Sequence, residues 1–90
     1  PGKQGERMKR DFDYYIGAAQ EAEKRSNGLW RGINQCIRSV LETQRKKGKT
    51  LAQVADILDE IAGPGKKVVE IGNLRLAARR IRAGKELTLL

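Results

Sequence analysis

Apolar side chains recur along this chain at helical spacing in four separate stretches. From about Arg10 to Arg25, Phe12, Tyr15, Ile16, Ala19 and Ala22 return every three or four residues among Glu, Gln and Lys, until Ser26-Asn27-Gly28 breaks the pattern. From about Leu29 to Lys46, Leu29, Trp30, Ile33, Ile37, Val40 and Leu41 share one face, with Arg31, Arg38 and Arg45 on the polar side. Gly32 sits inside this stretch at a cost in helix propensity, which suggests close packing against another helix. Thr50 then stands as a cap before Leu51, Val54, Ala55, Ile57, Leu58 and Ile61, whose buried face is opposed by Asp56, Asp59 and Glu60. Gly63-Pro64-Gly65 ends that helix sharply.

The last stretch, residues 73–83, has the narrowest apolar stripe. Leu74, Ala77, Ala78 and Ile81 form it, while Arg75, Arg79 and Arg82 line the opposite face with Arg80 at its flank. Asn73 is placed to cap this helix and Gly84 to end it. Its small alanines allow a close seat on the rest of the domain. Between the third and fourth helices, Val68, Val69 and Ile71 are β-formers and predict a short strand within 66–71. The tail from Glu86 to Leu90 either pairs with it as a second strand or packs on the core. The expected fold is therefore mainly α: a single four-helix domain over residues 10–90 with one or two short β-strands, behind a flexible segment at 1–9. The opening Pro1-Gly2, without an initiating methionine, reads as an excised piece or an expression remnant.

Charge changes this picture from a generic bundle to a patterned one. Ninety residues make one small domain with a modest core, and a net charge of +8 with a pI near 10.1 passes the usual threshold for a nucleic-acid footprint. Residues 27–49 carry six basic and one acidic side chain, and residues 66–90 carry seven and two. Between them, residues 50–65 carry only Asp56, Asp59 and Glu60. Two basic blocks thus flank an acidic one. The single cysteine forms no internal disulfide, and Cys36 falls between Ile33 and Ile37 as a small, buried or half-buried hydrophobe. No apolar run approaches membrane-spanning length, so a cytoplasmic or nucleoid-associated protein is expected.

Catalytic chemistry finds little to work with. There is no histidine, which removes the commonest general base and metal ligand and leaves Cys36 without a partner for nucleophilic catalysis. Asp56, Asp59 and Glu60 share one helix face, but one face alone rarely holds a cation; a solvated acidic face pairing with a basic neighbour is the better account. Gly63-Pro64-Gly65-Lys66-Lys67 lacks the second half of the phosphate-loop pattern and its strand-then-helix order. A non-enzymatic protein with no cofactor and no metal is the expectation. The four aromatics, Phe12, Tyr14, Tyr15 and Trp30, sit at helical spacings in the first two helices and read as core packing. That lowers single-strand recognition, which uses exposed aromatic platforms, in favour of duplex DNA.

Residues 48–82 carry a further pattern. Gly48-Lys49-Thr50-Leu51-Ala52-Gln53-Val54-Ala55-Asp56-Ile57-Leu58 reads as a glycine, small polar residues and then an Ile/Leu-rich helix. A basic linker follows, and Gly72-Asn73-Leu74-Arg75 opens a second helix ending in Arg79-Arg80. This resembles the small helix-turn-helix proteins of plasmids and other mobile elements, including accessory proteins that bind a transfer origin. In that group the second helix typically opens Tyr-Ser-Thr-Phe-Arg, where this chain has Ile71-Gly72-Asn73-Leu74-Arg75. The resemblance implies sequence-selective duplex binding, usually as a dimer, in transcription regulation or DNA processing.

On this reading Leu51, Val54, Leu58 and Ile61 brace the fourth helix through Leu74, Ala78 and Ile81. Arg75 and Arg79 then face base edges in the major groove. Arg80, Arg82, Lys66 and Lys67, with Arg45, Lys46, Lys47 and Lys49 at the other basic turn, hold phosphates. The first helix, with Phe12, Tyr15 and Ile16, extends the domain or supplies a homodimer contact. Two other classes stay open: an RNA-binding or ribosome-associated protein, and a protein-interaction module or inhibitor that binds an acidic partner.

Overall fold

The computed structural model describes residues 10–65 and 68–90. Four α-helices appear in it: α1 (Phe12–Arg25), α2 (Gly28–Lys46), α3 (Leu51–Ala62) and α4 (Gly72–Ala83). The ends follow from local chemistry. Asp11 caps α1 by accepting from the Tyr14 N–H at 3.1 Å. Thr50 and Gln53 cap α3 reciprocally: the Gln53 N–H donates to Thr50 Oγ1 at 3.2 Å, and the Thr50 N–H to Gln53 Oε1 at 2.8 Å. Gly84 ends α4 with φ at 69°, a left-handed cap that only glycine adopts without strain.

The helices pair as two antiparallel hairpins, α1 with α2 and α3 with α4. Glu23 meets Arg38 and Asp13 meets Arg45, so α2 climbs as α1 descends. Arg75 reaches Gly63, just past the end of α3, whereas Arg82 reaches Asp56 and Asp59 in its middle. One core joins the hairpins: Tyr15, Ile37, Leu41, Val54, Leu58 and Leu74 are each at most 1% exposed. Burying a side chain of that kind contributes about 1.5–3 kcal/mol, so these positions dominate the stability of the hairpin junction. Ala77 and Ala78 are fully buried, and their small size lets α4 sit close against α3.

Several expectations need correction. The strand expected within 66–71 is instead a single 3-10 turn, Val69–Ile71, that runs directly into α4. Among the described residues no β-partner lies beside it, because the tail packs on helices: Leu87 and Leu89 are 6% exposed. The carbonyls of Lys85, Leu89 and Leu90 accept from the side chains of Tyr15, Arg25, Asn34 and Asn73 rather than from a neighbouring strand. Asn73 does not cap α4; the helix begins one residue earlier, and the Asn73 amide is turned into the core. Ile61 is 47% exposed, because Val54, Leu58 and Ala62 form the buried row of α3 and leave Ile61 on its flank. Leu29 likewise lies 53% exposed at the start of α2. Gly32 faces solvent, and a side-chain carbon added there would meet nothing within 4 Å, so it marks no close helix approach. Phe12, Tyr15 and Ile16 spend the apolar face of α1 inside the chain's own core.

Candidate nucleic-acid interface

The antiparallel hairpins bring three element ends together. Arg10, just before α1, donates to the Gly84 carbonyl at 3.3 Å and lies 5.9 Å from the centroid of the Tyr14 ring. The Tyr15 hydroxyl donates to the Lys85 carbonyl at 2.8 Å, and the Leu87 N–H donates to the Tyr14 hydroxyl at 3.1 Å. Arg45, near the end of α2, is ion-paired to Asp13 in the first turn of α1. The start of α1, the end of α2 and the end of α4 therefore share one pole of the molecule.

Cations crowd that pole. The turn after α2 is held by its own backbone: the N–H groups of Lys47, Gly48 and Lys49 donate to the carbonyls of Thr43, Arg45 and Gln44. Gly48 adopts a φ of 73° there, which lets the chain reverse into α3. Lys46, Lys47 and Lys49 project from this fixed turn and are exposed, as are Arg10 and Lys85 across from it. Among the described residues none of Lys46, Lys47, Lys49, Lys85, Arg79 and Arg80 makes an ion pair. Their charge is available to an external anion. An open groove lined by Ile16, Glu42, Thr43, Arg45 and Lys46 runs along the same end.

The arginines of α4 divide into two kinds. Asn73, Leu74, Ala77, Ala78 and Ile81 are buried, which puts Arg79 on the crest of the helix facing solvent and Arg80 half-buried on one flank. Arg75 and Arg82 lie along the edge nearest α3 and are engaged within the chain. Arg75 donates to the carbonyls of Gly63 (3.0 Å) and Gly65, fastening the turn after α3. Arg82 bridges Asp56 (2.9 Å) and Asp59 (3.0 Å); these hydrogen bonds hold its guanidinium even more firmly protonated. The acidic face of α3 therefore meets a basic neighbour from α4. Among the described residues no group of three or more potential ligand side chains is placed to hold a metal ion.

Of the positions expected from sequence, the structure gathers Arg45, Lys46, Lys47 and Lys49 at the pole, with Arg45 neutralised by Asp13. Arg79 and Arg80 sit farther back along α4, whereas Arg75 and Arg82 are tied to α3 and its turn. Lys66 and Lys67 lie outside the described residues. Arg10 and Lys85 join the pole without having been expected. Nothing but their charge marked them in the sequence, because their place depends on α1 packing beside the end of α4. Cys36 is half-buried, and burial pushes its thiol pKa up, as befits a small packing residue.

No protein-family model matches the chain, and neither a curated protein nor a solved structure matches it at a significant level. No helix among the described residues is long and apolar enough to cross a membrane.

Proposed function

We propose that the protein binds duplex DNA through this basic pole, without catalysing a reaction. The single observation that supports it most is the convergence of Lys46, Lys47 and Lys49 with Arg10 and Lys85 at one end of the molecule, around turns held by backbone and side-chain hydrogen bonds. Exposed cations held at one end make a local potential that attracts a polyanion, and each phosphate contact releases condensed counterions. The crest of α4, with Arg79 and the flanking Arg80, extends the positive surface away from the pole.

Affinity in this reading comes mainly from phosphates. Arg79 is the arginine of α4 best placed for a base edge, since Arg75 already satisfies two carbonyls and Arg82 two carboxylates. Release of Arg75 or Arg82 toward DNA would give up these contacts within the chain, which lowers their value as readers. A role in transcription regulation or DNA processing on a plasmid or other mobile element, located in the cytoplasm or nucleoid, follows from the helix-turn-helix resemblance of residues 48–82. The test is fluorescence anisotropy with labelled duplex DNA, duplex RNA and single-stranded DNA at two salt concentrations. Submicromolar duplex-DNA binding that weakens steeply with salt is expected. Preference for RNA at equal salt would reassign the target, and no binding to any of the three at low salt would refute the proposal.

A further inference from the structure

Among the described residues, two of the ion-paired arginines each hold two carboxylates: Arg38 takes Glu23 and Glu42, and Arg82 takes Asp56 and Asp59. Arg45 differs. It lies in the last turn of α2 and pairs only with Asp13, in the first turn of α1. Both side chains are open to water, 51% exposed for Arg45 and 70% for Asp13. An exposed pair of this kind contributes little to stability. The α1–α2 hairpin is in any case closed by Glu23 with Arg38 and by the buried Ile16, Ile37 and Leu41.

What the pair does follows from its place. Arg45 directly precedes Lys46, Lys47 and Lys49, which make no ion pair among the described residues, and it shares with Lys46 the wall of the groove beside Ile16. We propose that Asp13 is a brake on the basic pole: by holding the Arg45 guanidinium it withholds one cation from phosphates and keeps the affinity of the site below what its cations alone would give. The brake rests on the reading of this pole as a duplex-binding surface, and it sets how many of the pole's cations act. A phosphate drawn to Arg45 meets the Asp13 carboxylate at the same place, and like charges brought together there oppose the contact.

The other carboxylates at this end are placed differently. Asp11 accepts from the Tyr14 N–H and caps α1. Glu42 is held by Arg38 at 2.9 Å. Glu86 is exposed between Lys85 and Leu87, whose backbones are bonded to the hydroxyls of Tyr15 and Tyr14, and it makes no ion pair among the described residues. Asp13 alone among them engages a cation of residues 45–49. Glu86 therefore supplies a control: the same charge at the same pole, with no cation to release.

The test is the salt dependence of duplex-DNA affinity for the full chain, measured on wild type, D13N, R45Q, D13N/R45Q and E86Q, with circular dichroism to confirm an unchanged helical spectrum. D13N should bind several-fold more tightly, and its plot of log K against log salt should steepen by about 0.9, the signature of one more neutralised phosphate. R45Q should keep the wild-type slope, because Arg45 neutralises no phosphate while Asp13 holds it. The double variant should keep that slope too, which makes the coupling between the two residues the readout. E86Q removes a charge but frees no cation, so its slope should also stay at the wild-type value. A D13N slope equal to wild type, an E86Q slope as steep as that of D13N, or an R45Q slope flattened by a full contact would overturn the brake and leave duplex binding standing. A wild-type chain that binds no duplex at low salt would refute the reading of the pole itself, and the brake with it.

Discussion

The side-chain amide of Asn73 donates to the Asn34 side-chain carbonyl oxygen at 3.0 Å, and the two residues are 3% and 0% exposed. Asn34 donates in turn to Ser26 Oγ at 3.3 Å and to the Leu90 carbonyl at 3.0 Å. One buried polar cluster thereby ties α1, α2, α4 and the tail together. Buried polar groups of this kind persist only because each finds a partner. Asn73→Ala removes the donor to Asn34 Oδ1 and leaves that oxygen without a protein partner. The expected loss is about 1–3 kcal/mol, read from urea denaturation, and Asn73→Ser should lose less than Asn73→Ala if the serine hydroxyl still donates. An unchanged midpoint in Asn73→Ala would deny the cluster its structural role.

Gly32 offers a gain. It lies in the interior of α2, faces solvent, and a Cβ there meets nothing within 4 Å. Gly32→Ala should therefore stabilise the chain by about 0.5–1 kcal/mol through helix propensity and a less flexible unfolded state. A thermal melt reads the change directly. A lower melting temperature would mean that α2 needs the glycine for close packing.

Acid should weaken the α1–α2 hairpin through Glu23. The hydrogen bond from Arg38, at 2.6 Å, is the chief cause that holds the Glu23 carboxyl below its ordinary value of 4.5, against a smaller opposing effect of burial. A carboxyl whose pKa is lower in the folded chain contributes its full stabilisation above the unfolded value. That contribution fades as the pH falls below about 4.5 and through the lowered folded value. Glu23→Gln should be less stable than wild type at neutral pH, and the gap should close in acid. Parallel melting temperatures across that range would show that the pair contributes nothing.

Much of this fold was legible because helices announce themselves by period. Phe12 to Ala22, Val54 to Leu58 and Leu74 to Ile81 repeat an apolar face that water penalises in any other conformation. Thr50 and Gly84 were legible for the same reason: their chemistry is local. What escaped the sequence was everything decided across the chain. Val68, Val69 and Ile71 have strand propensity but no partner edge, so the 3-10 turn prevails. Asn73 has the composition of a cap, yet Asn34 and the tail claim its amide. The candidate site shows the same division. Lys46, Lys47 and Lys49 declare themselves as a run, whereas the engagement of Arg75 and Arg82 depends on where α3 lies.

That engagement separates two arginines that look equivalent in sequence, Arg75 and Arg79. Arg75→Ala removes the hydrogen bonds to Gly63 and Gly65 and should destabilise the chain by roughly 1 kcal/mol, with faster amide exchange in the turn after α3. Arg79→Ala removes only an exposed side chain and should leave the melting temperature unchanged while weakening duplex binding. The reverse pattern would mean that Arg75 leaves its carbonyls to reach DNA.

The most direct measurement compares the salt dependence of duplex-DNA affinity in wild type and in Lys46→Gln/Lys47→Gln/Lys49→Gln, with Lys24→Gln at the far end of α1, away from the basic pole, as control. If the basic pole holds phosphates, the triple variant binds more weakly, and its plot of log K against log salt flattens by roughly 0.9 for each phosphate that is no longer neutralised. The Lys24→Gln control should match wild type in affinity and slope. Identical affinity and slope in the triple variant would contradict a phosphate-binding role for this pole.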